Sequence, residues 1–421
     1  MGEDNTPPAS PSNEIMDMLE PDEDELVEVI DLDENEPIDD DDNDDENNVE
    51  GAASQDVIPE EVHDNSDLVF KEHTDAVFCV DIQPDSEDPL VASGGQDDTC
   101  YLWNLKSGKV MKKLDNFKDS VVHVKFNFNG TYLAVADMAG TIYVLKTLPN
   151  ITQEPVWSFE TGDITWLDWH PGANVLFAGT EDSSLWMWKI PSGHSKIFQG
   201  NGEKVESAQV LPDGRRVVVG YSDGSIRVFD LKSEEVLHSA SIFDSKASIV
   251  SLDVRSDNTL VALGNVDGEV KIFNVQSGKV VAHFQNSTKK SKNDEDDNQD
   301  EANNEAIESV LFSTPEGNQV ITGNLDGMLS VWDLSSQVSK LCTKVGTGLV
   351  KLKWLKTSLI LAATLDGLIR IIDPRSGNVI EDCSGHTQQI LDFSISKCGQ
   401  YLVSTSDDHS CRVYDIEKLL K

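Results

Sequence analysis

The segment Asp97-Asp98-Thr99-Cys100-Tyr101-Leu102-Trp103 decides the fold, because its pattern of a polar turn followed by a strand returns along the chain. It comes back as Ala139-Gly140-Thr141-Ile142-Tyr143-Val144-Leu145, as Asp182-Ser183-Ser184-Leu185-Trp186-Met187-Trp188 and as Asp223-Gly224-Ser225-Ile226-Arg227-Val228-Phe229. Further copies run from Asp267-Gly268 to Phe273, Asp326-Gly327 to Trp332, Asp366-Gly367 to Ile372 and Asp408-His409 to Tyr414. The last residues of the eight copies fall 42, 43, 41, 44, 59, 40 and 42 residues apart. A period of about 40–45 residues with four short strands per unit belongs to the blades of a β-propeller. Ahead of each copy a first strand alternates, as in Val77, Val80, Ile82 and in Val121, Val124, Phe126. Asp-Gly closes the hairpin between second and third strands, since glycine tolerates the positive φ of a two-residue turn.

These units resemble the WD40 family. Trp332-Asp333 is the namesake pair, Gly385-His386 the other marker, and Phe229-Asp230 and Tyr414-Asp415 are close variants. Most blades lack Gly-His, and Leu145-Lys146 and Ile372-Asp373 replace the aromatic. The resemblance therefore implies the family's His–Ser–Asp–Trp hydrogen-bond chain only at His73, Ser93, Asp97 and Trp103. After Tyr414 too few residues remain for a fourth strand, whereas Asp67-Leu68-Val69-Phe70-Lys71 stands where Val110-Met111-Lys112-Lys113-Leu114 stands before the next unit. The expected fold is all-β: an eight-bladed propeller over residues 67–421, its last blade completed by the N-terminal strand, a clasp that removes the open edges of the terminal sheets.

The chain of 421 residues carries 76 Asp+Glu against 33 Lys+Arg, a formal net charge of −43. Residues 1–66 hold 26 of the acids and no Lys or Arg, a composition that cannot bury a core and reads as a disordered acidic tail. Within it Glu25-Leu26-Val27-Glu28-Val29-Ile30-Asp31-Leu32 alternates acidic and apolar residues, the pattern of a docking motif or of a solvated tail. A second acidic stretch, about 286–306, accounts for the single long interval and reads as a loop insertion. A surface this negative repels phosphates, which excludes direct nucleic-acid binding and favours a basic protein partner. The six cysteines show no C-x-x-C and no zinc spacing, and read as reduced thiols of a cytoplasmic protein; a monomer is expected. No leader or membrane span is expected, and Gly2 with Thr6 matches the myristoylation pattern by chance, lacking a second anchoring signal.

Catalytic chemistry has little support. Gly220-Tyr221-Ser222-Asp223-Gly224 matches the hydrolase nucleophile elbow, but the next blades read Gly264-Asn265-Val266-Asp267-Gly268 and Gly323-Asn324-Leu325-Asp326-Gly327. Ser222 is therefore a hairpin residue rather than a nucleophile on a strand–turn–helix. No phosphate loop, HExxH or defined calcium loop is present in the sequence, and no cofactor or metal is expected. Trp157, Trp166, Trp169, Trp186 and Trp188 crowd the third blade, and their alternation suggests four of the five inside. Lys351 and Asp392, at equivalent first-strand positions of adjacent blades, suggest a buried ion pair.

In a four-stranded meander, residues leading into first strands share a face with the turns between second and third strands. Asp75, Asp119, Asp163, Glu206 and Glu308 occupy the lead-in positions, and Glu181 and Asp407 flank the turns. The recurrent turn aspartates, Asp97 to Asp408, are explained by turn geometry instead. Crowded carboxylates on one face read either as a site for a Lys/Arg-rich peptide or as a merely solubilising surface. At a finer level the chain resembles the angio-associated migratory cell protein family, in Val156-Trp157-Ser158-Phe159-Glu160, Trp186-Met187-Trp188-Lys189, Phe198-Gln199-Gly200, Val210-Leu211-Pro212-Asp213-Gly214, Val219-Gly220-Tyr221, and His386-Thr387 with Ile390-Leu391-Asp392-Phe393. That resemblance implies a cytoplasmic, non-enzymatic protein, linked in animals to cell migration and angiogenesis. Its fungal relatives are dedicated chaperones of a very basic large-subunit ribosomal protein. Two functions follow from it: an assembly chaperone holding the basic N-terminal segment of such a protein during 60S biogenesis, or a signalling scaffold in cell migration.

Overall fold

The computed structural model describes residues 63–285, 305–313, 317–356 and 358–421. The motif at Glu25–Leu32, Gly2 and Thr6, and most of the 286–306 stretch lie outside them. Among the described residues there are 32 strands, in eight four-stranded antiparallel sheets, and one short helix, Ile416–Leu419. Blade one sets the pattern with strands Val77–Ile82, Leu90–Gly95, Cys100–Asn104 and Val110–Leu114. Blades two to seven repeat it in sequence order. Blade eight takes Ile390–Ile395, Tyr401–Ser406 and Cys411–Asp415 from the C-terminal end, and its fourth strand is Leu68–Phe70, with Leu68 opposite Val413 and Phe70 opposite Cys411. The eight-bladed, all-β ring closed by an N-terminal strand is thus present as expected.

The ring holds because each sheet is apolar on both faces. Second strands such as Leu90–Gly95 and Tyr132–Asp137 are buried along their whole length, as sheets covered on two sides must be. Eight hydrophobic clusters result, one at each blade interface. The cluster closing the ring joins Val403 and Val413 of blade eight to Val77 and Trp103 of blade one, with Phe70 stacked on Trp103 at 4.5 Å. Successive first strands touch one another around the ring, the first strand of blade eight meeting that of blade one, so they form the wall of the central channel.

The hairpin reading is borne out in detail. Gly327 has φ +80°, and a Cβ there would lie 2.0 Å from the Gly346 carbonyl oxygen, which no other residue could accept. Where the glycine is missing, Asp98, Ser183 and His409 adopt the positive φ themselves.

Two expectations need correction. Of the five tryptophans expected to crowd blade three, Trp157 lies in blade two, and only Trp169 and Trp188 are buried, while Trp157, Trp166 and Trp186 are half-buried. Trp157 belongs to the fourth strand of blade two, Trp157–Glu160, with no further strand outside it among the described residues, and Trp186 of blade three packs against Phe159 of that strand at 5.3 Å. The second correction concerns the hydrogen-bond chain. In blade one it runs as expected, His73 Nδ1 to Asp97 at 3.0 Å, Nε2 to Ser93 Oγ at 2.9 Å, and Trp103 Nε1 donating to the same oxygen at 3.2 Å. Blade eight, however, builds it too: His386 Nδ1 lies 2.9 Å from Asp408 and Nε2 2.7 Å from Ser404 Oγ. Tyr414 stands at the tryptophan's place, its hydroxyl donating to the Ser384 carbonyl.

Candidate functional site

One repeated backbone contact defines a face of the ring. The first amide of each turn between second and third strands donates to a carbonyl just ahead of a first strand: Gln96 to Ala76, Met138 to Ser120, Glu181 to Asp163, Ser222 to Lys204, and onward to Asp407 to Gln389, at 2.8–3.2 Å in these five. Lead-in residues and turns therefore lie side by side in every blade. Among the described residues, the connections on this face carry 19 carboxylates and four Lys or Arg. The connections of the opposite face carry eight of each. The asymmetry is thus a property of one face, not of the acidic composition at large.

The residues expected there occupy it at different depths. Asp119, Asp163 and Glu181 are exposed, whereas Asp75, Glu206, Glu308 and Asp407 are half-buried. Asp75 accepts the Ala76 amide at 2.8 Å and faces His409 Nε2 at 3.8 Å, and Asp119 accepts the Ser120 amide at 2.7 Å. Asp407 accepts from Gln389 Nε2 at 3.1 Å. Lys204 lies between Glu181, at 3.7 Å, and Glu206, at 3.9 Å. Burial pushes the Glu308 carboxyl above its ordinary range.

These residues do not share one register position. Asp75 and Asp119 stand two residues ahead of their strands, Asp163 one ahead, and Glu206 is the second residue of its strand, Val205–Val210. In blades one, two, three, four, seven and eight a β-bulge falls at that second position, at Phe78, Val122, Thr165, Glu206, Val350 and Leu391. A bulge leaves its extra residue out of the ladder, and all six are half-buried, so Glu206 belongs to a largely apolar channel mouth. Sequence reading missed Glu203, two residues ahead of its strand as Asp75 and Asp119 are, and Glu305, four residues ahead of Ser309–Phe312. It also missed Met138, Val266 and Leu365, which are 50%, 39% and 37% exposed at the leading turn position. The face is acidic with apolar insets.

The recurrent turn aspartates mostly bond within their own blades. Asp182 accepts from Thr180 and Ser184, Asp366 from Arg370, and Asp97 and Asp408 join their histidines. In blades five and six Asn265 and Asn324 take that role, accepting the Glu269 and Met328 amides at 2.8 Å. Ser222 sits in its hairpin, its hydroxyl 3.3 Å from Glu203.

Below the face, the channel wall carries the Lys351–Asp392 pair, Nζ bonded to Oδ1 and also to the Phe393 carbonyl at 3.1 Å. It is half-buried rather than buried, at 26% and 14% side-chain exposure. Asp392 also accepts the Val80 amide at 3.1 Å, tying blade eight to blade one. Burial raises its carboxyl, but Lys351, Lys125 and Lys353 outweigh this and hold it below the ordinary range. Among the described residues no cluster with metal-ligand character occurs, and no helix is long and apolar enough to cross a membrane.

Comparison with known proteins agrees with this fold. The WD domain, G-beta repeat profile matches residues 65–104 and 377–415, and the WD40 domain profile of anaphase-promoting complex subunit 4 matches 167–246. The angio-associated migratory cell protein of Homo sapiens is 35% identical over 357 residues, covering 84% of this chain and 81% of that protein. Among solved structures, Sqt1 of Saccharomyces cerevisiae superposes with a TM-score of 0.73 at 21% identity, over 84% of this chain and 99% of that one. Sqt1 of Chaetomium thermophilum, bound to the N-terminus of the ribosomal protein L10, superposes with a TM-score of 0.72 at 22% identity, over 84% and 100%.

Proposed function

This chain belongs to the angio-associated migratory cell protein family of WD40-repeat propellers, and from that premise we propose that it is a non-enzymatic chaperone for a basic ribosomal protein. Its acidic face would hold the client's N-terminal Lys/Arg-rich segment until large-subunit assembly. The charge asymmetry between the two faces carries this reading. The L10 N-terminus bound to a propeller of the same fold supports it. Carboxylates at Asp119, Asp163 and Glu181 would neutralise the client's cations before RNA reaches them, while Met138, Val266 and Leu365 receive its aliphatic stems. Attraction between exposed charges is screened within about 8 Å at physiological salt, so capture weakens as salt rises.

The test is affinity capture with the full chain from ribosome-depleted lysate, at low and high salt, read by mass spectrometry. A single basic large-subunit ribosomal protein should be recovered at low salt. The triple variant Asp119→Lys, Asp163→Lys, Glu181→Lys should lose it, and Asp85→Lys, Glu87→Lys, Asp88→Lys on the opposite face should keep it. Equal capture by both variants would overturn the assignment of the face. Recovery of signalling proteins with no ribosomal protein would overturn the chaperone reading in favour of a migration scaffold.

A further inference from the structure

The opposite face is balanced in total charge but not locally. In the turns between first and second strands, blades seven and eight supply Lys356 and Lys397 and, among the described residues, no carboxylate. Together with Lys353 from the first strand of blade seven they border a cavity of about 370 Å³, which Trp354 and Ser396 also line. Trp354 is fixed by its Nε1 donating to the Phe312 carbonyl at 2.8 Å. Lys356 faces Glu417 at 3.6 Å and Lys397 faces Asp85 at 2.5 Å, but all four side chains are more than half exposed. Such pairs contribute little and yield to a competing anion.

Lys353 is the informative residue. No carboxylate among the described residues lies within ion-pair distance of it, and its ammonium stands 5.9 Å over the Phe393 ring. The carboxylates it feels are engaged elsewhere. Asp392 is bonded to Lys351 and to the Val80 amide, and Asp81 accepts the Phe126 amide and the Ser394 hydroxyl. Burial and the nearby charges of Lys351 and Lys125 lower its ammonium to about 7, against the opposing pull of Asp392 and Asp81. A half-buried cation crowded by cations, opening on a cavity edged by two more lysines, lacks a counterion.

We propose that this cavity binds a phosphate-type oxyanion, held by Lys353, Lys356 and Lys397. Lysine ammoniums serve as point charges for such a group, and Trp354 gives the cavity a fixed wall. The oxyanion is either a free one or the phosphate of a modified side chain. This inference is independent of client capture on the other face.

The experiment titrates the full chain with inorganic pyrophosphate at low ionic strength, reading phosphorus NMR line width and melting temperature. Pyrophosphate should broaden and the melting temperature should rise, as for any ligand that binds only the folded state. Lys353→Met and Lys397→Met should each weaken binding at least tenfold, while Lys340→Met, on the outer strand of blade six, should change nothing. A phosphoserine peptide that binds tenfold tighter than pyrophosphate would identify a modified side chain as the source, and a weaker one a free oxyanion. Nitrogen NMR of the lysine ammoniums provides a readout that needs no variant: the Lys353 titration should move upward with pyrophosphate. Absence of broadening, Lys353→Met binding like the wild type, or an unmoved Lys353 titration would overturn the site.

Discussion

Blades one and eight build the same sheet as blades five and six from different chemistry. Where the ring closes, a histidine locks the turn aspartate to a buried serine, through His73 and Ser93 in one blade and His386 and Ser404 in the other. In blades five and six an asparagine at the turn accepts the amides directly, and no histidine is involved. In blade six Trp332 Nε1 then finds Thr322 Oγ1 at 3.1 Å. The closing blades also depend on the three-residue strand Leu68–Phe70, whereas the fourth strand of blade five, Lys279–Gln285, has seven residues. Blade geometry therefore prescribes hydrogen-bonding roles, not residue types. Charges that fill no such role, as on the acidic face, are the ones free to serve a partner.

The largest effects are expected at the closure. Phe70 and Phe284 are both buried and both stack on a tryptophan, at 4.5 Å and 5.1 Å. Truncating either to alanine should cost about 3–5 kcal/mol. Phe70→Ala should fall at the upper end and also broaden the unfolding transition in urea, because the short strand is released and the edge of Cys411–Asp415 opens. Phe284→Ala should unfold as sharply as the wild type. Equal sharpness would mean that the clasp is dispensable. At the next level, His73→Ala leaves buried Ser93 and Asp97 without their partner and should cost about 2–3 kcal/mol, while Asn324→Ala should cost about 1 kcal/mol. Both are measurable by chemical denaturation.

A smaller effect separates the blades by pH. Burial and the neighbouring Arg412 lower the His386 imidazole below its ordinary value, against the pull of Asp408 and Asp64. Burial raises Asp408, but the hydrogen bond and charge of His386 prevail and its carboxyl is lowered. Both groups bind fewer protons folded than unfolded. Stability is accordingly full above the unfolded histidine pKa of about 6.5 and falls as pH drops below it. His386→Gln should flatten the melting-temperature profile between about pH 6.5 and 5. Asn324→Ala, in a blade with no titrating partner at this place, should leave its slope unchanged.

How much of this could be read in advance follows the same division. The period, the Asp-Gly hairpins and the completing strand were legible because each depends on a residue type that backbone geometry demands. The second histidine chain was not, since Tyr414 stands where the pattern asks for tryptophan. The acidic face was legible as charge but blurred as positions. Only three residues separate the strands ending at Glu160 and beginning at Ile164, against six between Leu114 and Val121, so lead-in residues slip out of alignment and Glu203 and Glu305 were passed over. Two more tryptophans than expected are half-buried, because alternation shows which side of a strand a ring takes, not whether a further sheet covers it. The lysine-edged cavity draws on two blades about 40 residues apart in sequence, and nothing local announces it.

The channel wall offers the finest comparison. Asp392 lies among Lys351, Lys125 and Lys353, which hold it ionised. Asp253, in blade five, accepts the Phe312 amide at 2.7 Å but has no cation partner among the described residues, and burial pushes its carboxyl to about 6 despite the hydrogen bonds from Phe312, Gln209 and Val254. Folded protein thus keeps this proton where unfolded chain has lost it, so stability falls as pH rises from about 4 to 6. Asp253→Asn preserves the acceptor and removes the buried charge. It should raise stability at pH 7 by about 1–2 kcal/mol, allowing for channel water, and the gain should vanish below about pH 4. Asp392→Asn removes the charge bonded to Lys351 and should lower stability instead. If both variants shifted the melting temperature in the same direction at pH 7, the contrast between a paired and an unpaired channel carboxylate would fail.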